Sequence, residues 1–295
     1  MAARHGARVW AALLTVYVVW GSTFVALSVA VRDLPPLLAM TMRHLTAGAL
    51  LLGLALPRAR AEGARLGRPQ VLSGFVAGGL FFLVSHGGLA WAQQTVPAGV
   101  AALLAGTIPL WMAALDRVLY GRRLRRSAYA GFVLGFAGLA VLFDPLGEGA
   151  VDRVGAAVVV VGALAWAGGS LYSRGAALPR QPLVSAGLAS LCGGALLLVA
   201  SLGAGEWDDV RLTLDAVLAI AYMVVVGSLV GMSAYVWLLR AAPISLVATY
   251  AYANPIVAVA LGWLLLGEEL TLQMALAGGA VLVSVALIVR ASGAS

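Results

Sequence analysis

The 295-residue chain has no lysine, a single asparagine, a single cysteine and charge on only 11% of its residues. Each scarcity removes a class of protein. One cysteine, Cys192, rules out an intrachain disulfide. So few charges beside 62% hydrophobic residues leave too little polar surface to coat a water-soluble particle. The net charge of +7 comes entirely from arginine, and these arginines fall in short segments between apolar runs. A nucleic-acid partner, which needs cations gathered on one soluble face, is not expected. The apolar runs hold no paired carboxylates, no His, Cys and carboxylate cluster for a metal, and no phosphate-binding glycine loop. An intramembrane enzyme, a metal site and a cofactor are therefore not expected. A scaffold that moves nothing is compatible with this chemistry, but gives no reason for the central prolines described below.

What the chain does have is length of apolar sequence. Spanning a bilayer takes about 20 mostly apolar residues per helix. Ten runs approach that length: Val9 to Val31, Leu37 to Leu56, Val71 to Gln93, Pro97 to Leu119, Ala128 to Phe143, Val154 to Tyr172, Leu183 to Leu202, Leu214 to Leu239, Pro243 to Leu266 and Leu272 to Val289. The fifth is the shortest. They are continuously apolar, without the alternation of a barrel strand. The apolar core of the first is too long for a signal peptide, so it is read as a retained helix. The expected fold is all-α, a polytopic membrane bundle of ten transmembrane helices with the lipid bilayer as its surroundings.

Charge orients the bundle. Fifteen of the nineteen arginines lie at the N-terminus and in alternate loops, while the opposite side holds the other four, Arg32, Arg43, Arg153 and Arg211, with ten of the twelve acids. Basic residues favour the cytoplasmic side, which places both termini in the cytoplasm and the protein in the plasma (inner) membrane. An offset of 146 superimposes Trp20 on Trp166, Trp91 on Trp237, Pro97 on Pro243, Pro109 on Pro255, Gly121 on Gly267 and Leu124 on Leu270. Five helices per half is an odd number, so the second half enters from the opposite side. This explains why the matched loops at 117–126 and 268–269 carry opposite charge. Two inverted five-helix repeats, 1–145 and 146–295, are expected.

Inverted repeats suit a protein with two related conformations around a midplane site. Pro97 and Pro243 are expected to open helices 4 and 9. Pro109 and Pro255 come twelve residues later, about 18 Å along a helix rising 1.5 Å per residue. They are the candidate hinges, each removing an amide donor near the bilayer centre.

The segments "VYVVWGSTFVA", "LLAMTMRHLTAG", "PAGVAALLAGTIPLW" and "APISLVATYAYANPIVAVALGWLLLGEELT" together resemble the EamA-type branch of the drug/metabolite transporter superfamily, and within it the YddG-type amino-acid exporters. The resemblance covers essentially the whole chain. It implies export of small metabolites, with helices 1, 3, 4, 6, 8 and 9 around a central cavity and helices 5 and 10 at the periphery.

Candidate cargo-binding residues follow from depth and helical face. Trp20 and Trp166 lie about 17 Å into their helices, where no headgroup meets an indole N–H. Tyr17 and Phe24 share the face of Trp20, and Ser170 shares that of Trp166. Asn254, beside Pro255 and on the face of Tyr250, either recognises cargo or satisfies the backbone that the proline loosens. His86, on a face with Phe82, is read as the only ionisable residue well inside a span, serving as a structural imidazole or a proton carrier. Trp111 and Tyr235 complete the set. Arg43 is expected either to snorkel to water or to pair with Glu268 or Glu269. With no central carboxylate to relay protons, facilitated export is expected, and proton coupling through His86 is the second reading. A cavity of rings, amides and hydroxyls without fixed charge suits a zwitterion or a neutral amphiphile better than a polyanion. Gly131 and Gly135 form a small-residue motif open to internal packing or a dimer. The sequence fixes neither monomer nor dimer.

Overall fold

Helix follows helix because prolines, glycines and acidic residues interrupt otherwise unbroken apolar sequence. The structure, a computed structural model, describes residues 2–63, 66–121, 126–143, 152–242, 244–247 and 249–292, and holds no strand among them. In chain order the helices are α1 (Ala2–Ala30), α2 (Pro36–Ala61), α3 (Arg68–Ala92), α4 (Ala98–Tyr120) and α5 (Arg126–Phe143). There follow α6 (Arg153–Gly175), α7 (Pro182–Gly203), α8 (Leu214–Ala241), α9 (Tyr250–Leu266) and α10 (Leu272–Ser292). A single turn of helix, Ile244–Val247, precedes α9. Seven of these, α1 to α4 and α6 to α8, are long and apolar enough to cross a membrane, while α5, α9 and α10 carry shorter apolar stretches.

The starts and stops have local causes. Pro36 and Pro182 stand in the first turns of α2 and α7, where a missing N–H costs nothing. Asp152 caps α6 by accepting from Val154 N at 3.0 Å and also accepts from the Thr95 hydroxyl at 2.7 Å. That hydroxyl, foremost, holds the Asp152 carboxyl below the usual aspartate range. Two glutamates cap helices distant in sequence. Glu206 accepts from Leu37 N and Leu38 N at the start of α2, and Glu268 accepts from Ala98 N and Gly99 N at the start of α4. Each carboxylate meets the donors that a helix N-terminus leaves unsatisfied, with the dipole in its favour.

Of the residue pairs at the 146 offset, Gly121 and Gly267 close α4 and α9 in the left-handed conformation, φ 66° and 68°, which glycine adopts without a Cβ penalty. Pro97 occupies the cap position of α4. Pro243, Leu124 and the repeat boundary at 145/146 lie outside the described residues.

Helix pairing sets the layout. α2 packs along α7 and α5 along α10, while α1 lies against α8 and α9, and α6 against α3 and α4. Leu27, Met40, Phe82, Leu197 and Met223 join one core where α1, α2, α3, α7 and α8 meet. The α5 glycines serve this internal packing. Ser284 of α10 donates to Gly131 O at 2.6 Å, and a Cβ on Gly135 would fall 2.5 Å from Ser284 Oγ and 2.2 Å from Leu110 Cδ2.

Candidate cargo-binding site

Two groups of rings form inside the bundle, and each brings together helices from the first and the second half of the chain. In the first group Trp20 of α1 stands 5.1 Å from Tyr235 of α8 and 5.2 Å, edge-on, from Tyr250 of α9, and the two tyrosines are 5.7 Å apart. These are favoured separations for aromatic pairs. One turn away, the Tyr17 hydroxyl is hydrogen-bonded to that of Thr249. The Trp20 indole N–H, expected from its depth to need a partner, donates to Gly227 O at 3.2 Å. Room for the indole comes from a missing side chain, since a Cβ on Gly231 would sit 2.5 Å from Trp20 Nε1.

In the second group His86 of α3 stacks on Trp166 of α6 with centroids 5.2 Å apart, and Phe81 packs on the same indole at 4.8 Å. His86 Nδ1 lies 3.0 Å from Nε2 of His44, whose ring covers Phe82 at 4.2 Å. His44 corrects the sequence reading. It lies in α2, only 2% exposed, so His86 is one of a pair rather than the only ionisable residue deep in a span. One of the two imidazoles donates to the other, and His44 Nδ1 is buried without a partner.

The second group sits on a π-helical stretch, Gly79–Gly87 in α3, and a like stretch in α8, Met223–Val230, carries Gly227, the acceptor of the Trp20 N–H. Such stretches re-aim side chains and loosen the carbonyl ladder, and they occur often at functional sites. Shifted by the 146-residue offset, the first begins two residues from the second.

The other candidates flank these groups or stand outside them. Phe24 packs against the core cluster that includes Val96 and Val100, and its carbonyl accepts from Gln93 Nε2 at 3.1 Å. Ser170 bonds back to Trp166 O at 2.8 Å on its own helix. Trp111 turns to the α5 side, its ring 5.5 Å from Phe136 and its N–H donating to Thr107 at 3.2 Å, so it joins neither ring group. Asn254 is partly buried, with Oδ1 unpartnered.

The two central prolines differ. α4 breaks at Gly106–Thr107, with Pro109 in the first turn after the break, whereas Pro255 lies within α9. A Cβ on Gly106 would stand 3.1 Å from the Pro255 ring, so the break in α4 packs directly on the proline of α9. Arg43 neither snorkels nor meets the glutamates. It is 8% exposed, its one hydrogen bond runs from Nη1 to the Met223 sulfur at 3.7 Å, and Glu268 is engaged at α4.

A cleft of about 620 Å³ opens at the end of the bundle that carries the α1–α2 turn, lined in part by Asp33, Trp91, Gln94, Glu206 and Arg211. Asp33 accepts there from the Thr213 hydroxyl at 2.7 Å.

The sequence profile of the EamA-like transporter family matches this chain twice, over residues 8–144 and 153–290. The uncharacterized inner membrane transporter YedA of Escherichia coli is 35% identical over 280 residues, covering 94% of this chain and 89% of its own. A probable amino-acid metabolite efflux pump of Salmonella typhimurium is 29% identical over 297 residues, covering 95% and 93%. A solved crystal structure covers 95% of each chain with a TM-score of 0.62 at 23% identity.

Proposed function

The chain belongs to the EamA-like transporter family, a membrane transporter by that membership, and from this premise we propose that it exports amino acids, aromatic and other apolar ones foremost. The observation that carries the reading is the ring group Trp20, Tyr235 and Tyr250, assembled across the two halves of the chain. Rings flanked by a few polar atoms offer an apolar side chain its wall and a zwitterionic head its hydrogen bonds. Ten spans arranged as inverted repeats, 1–145 and 146–295, with both termini in the cytoplasm, expose this meeting of the halves alternately to each side. Two family matches in tandem and the paired π-helical stretches support the duplication. Rocking about Pro109 and Pro255, the second of which packs on the α4 break at Gly106, moves one half against the other.

Transport down the cargo gradient is the preferred mechanism, because among the described residues no carboxylate stands with the central rings. The His44–His86 pair favours a second reading, proton-coupled export, since paired imidazoles can pass a proton from one ring to the other. Proteoliposomes loaded with single amino acids test the function. Efflux of phenylalanine, tryptophan, leucine or methionine is expected. Efflux of nucleotide sugars or lipophilic cations with no amino acid moving would refute the proposal.

A further inference from the structure

Among the described residues, Arg43 is a buried charge with no counter-charge against it. A guanidinium stays protonated in a protein and carries five N–H donors. Here the side chain is more than nine-tenths buried, Nε has no partner, and Nη1 reaches only a thioether, a weak acceptor. Four acidic side chains are engaged elsewhere: Glu206 at the start of α2, Glu268 at the start of α4, Asp33 with Thr213 and Asp152 with Thr95. A buried cation without a counter-charge is costly, and inside a membrane such a residue marks a substrate or ion pathway.

The surroundings combine the guanidinium with the aromatic wall. Arg43 Nη2 stands 3.6 Å from the point a Cβ would take on Gly227, and Thr23 Cγ2 approaches the same point from α1. The Gly227 carbonyl receives the Trp20 indole N–H, so guanidinium and ring wall converge on one residue of the π-helical stretch. The Thr23 hydroxyl donates to Trp20 O at 2.6 Å and keeps its lone pairs. Trp20 and Thr23 are both only partly buried.

We infer that Arg43 is the carboxylate-binding residue of the cargo site, holding an organic carboxylate through charge-assisted hydrogen bonds while the rest of the molecule lies on Trp20, Tyr235 and Tyr250. The inference rests on the export reading above and narrows its cargo: a carboxylate is required and a neutral amphiphile is not accepted. It also replaces the sequence expectation of a cavity without fixed charge. Planar guanidinium and planar carboxylate match edge to edge, a geometry that the point charge of a lysine reproduces only in part. The Gly227 carbonyl and the Thr23 lone pairs remain as acceptors for an ammonium group on the same molecule.

The test is calorimetric binding to the purified full chain, with phenylalanine, 3-phenylpropionate, phenethylamine and sodium chloride as probes. The wild type is expected to bind the two carboxylates and not phenethylamine. Arg43→Gln should weaken 3-phenylpropionate by about 10- to 100-fold, the loss of charge-assisted hydrogen bonds, and Arg43→Lys should recover part of it. Where Arg43→Gln does not fold, the wild type and Arg43→Lys decide. Phenethylamine binding as well as 3-phenylpropionate, or carboxylate affinity unchanged in Arg43→Lys, overturns the assignment. Displacement of 3-phenylpropionate by chloride at physiological ionic strength overturns it too, leaving Arg43 with an inorganic anion. A wild type that binds 3-phenylpropionate through Arg43 yet moves no amino acid in proteoliposomes counts against the export reading and leaves the Arg43 assignment standing.

Discussion

Replacing Trp20 separates a ring that meets cargo from a ring that only fills space. Trp20→Phe keeps an aromatic face toward Tyr235 and Tyr250 but deletes the N–H that donates to Gly227 O at 3.2 Å. The cost in stability is about 1 to 3 kcal/mol, because the buried carbonyl is left without its donor. Trp20→Ala removes both ring contacts as well, and a large-to-small change in a packed bundle costs about 3 to 5 kcal/mol. The effect on transport is predicted separately. A ring pair contributes about 0.5 to 1.5 kcal/mol beyond area burial, so Trp20→Ala should weaken aromatic cargo about two- to tenfold more than aliphatic cargo. The assay is competition by phenylalanine, tryptophan, leucine and methionine, normalised to folded protein. The protein carries its own reporter of folding, since Cys192 is its only cysteine and 5% exposed, and a thiol dye reads it on melting. Equal losses for all four competitors after normalisation would refute a cargo role for Trp20.

Three further outcomes are expected. In a Cys192→Ala background, single cysteines at Arg180 and Glu269, both exposed, should label from opposite sides of intact cells, with position 269 reached from outside; labelling from one side sinks the inverted repeats. Gly135→Ala places a Cβ against Leu110 and the hydrogen-bonded Ser284 and should lower stability by about 1 to 3 kcal/mol, so an unchanged melting temperature removes this account of the α5–α10 contact. His86→Gln should leave the response of transport to an imposed proton gradient unchanged. If it alone abolishes a strong gradient drive, the facilitated mechanism is wrong and the His44–His86 pair carries the proton.

Much of the helix layout was legible because apolar length and punctuation are local properties. The run Val9 to Val31 became α1 ending at Ala30, and Pro97 became the cap of α4. The charge reading of Arg43 failed because attraction between opposite charges was weighed without the competing donors. Glu268 finds two unsatisfied backbone N–H groups at the start of α4, and Arg43 sits on α2 against α8. His44 was overlooked although the signal was present, a second polar residue next to Arg43 inside an apolar run. Its pairing with His86 depends on how α2 crosses α3, which periodicity along one helix does not report. Trp111 shows the same limit, since the face it occupies is set by the α4–α5 contact with Phe136. The π-helical stretches have no sequence signature of their own; they arise where packing across helices outweighs the regular ladder.

The central claim is a cargo site at the meeting of the two halves, reached alternately from each side of the membrane. Ser170, one turn from Trp166 and partly buried, admits the most conservative probe. Ser170→Cys in a Cys192→Ala background, exposed to a membrane-impermeant thiol reagent in right-side-out and in inverted vesicles, should be modified from both sides, and phenylalanine should slow the reaction in both. Modification from one side only, from neither, or at a rate that phenylalanine leaves unchanged would contradict the account.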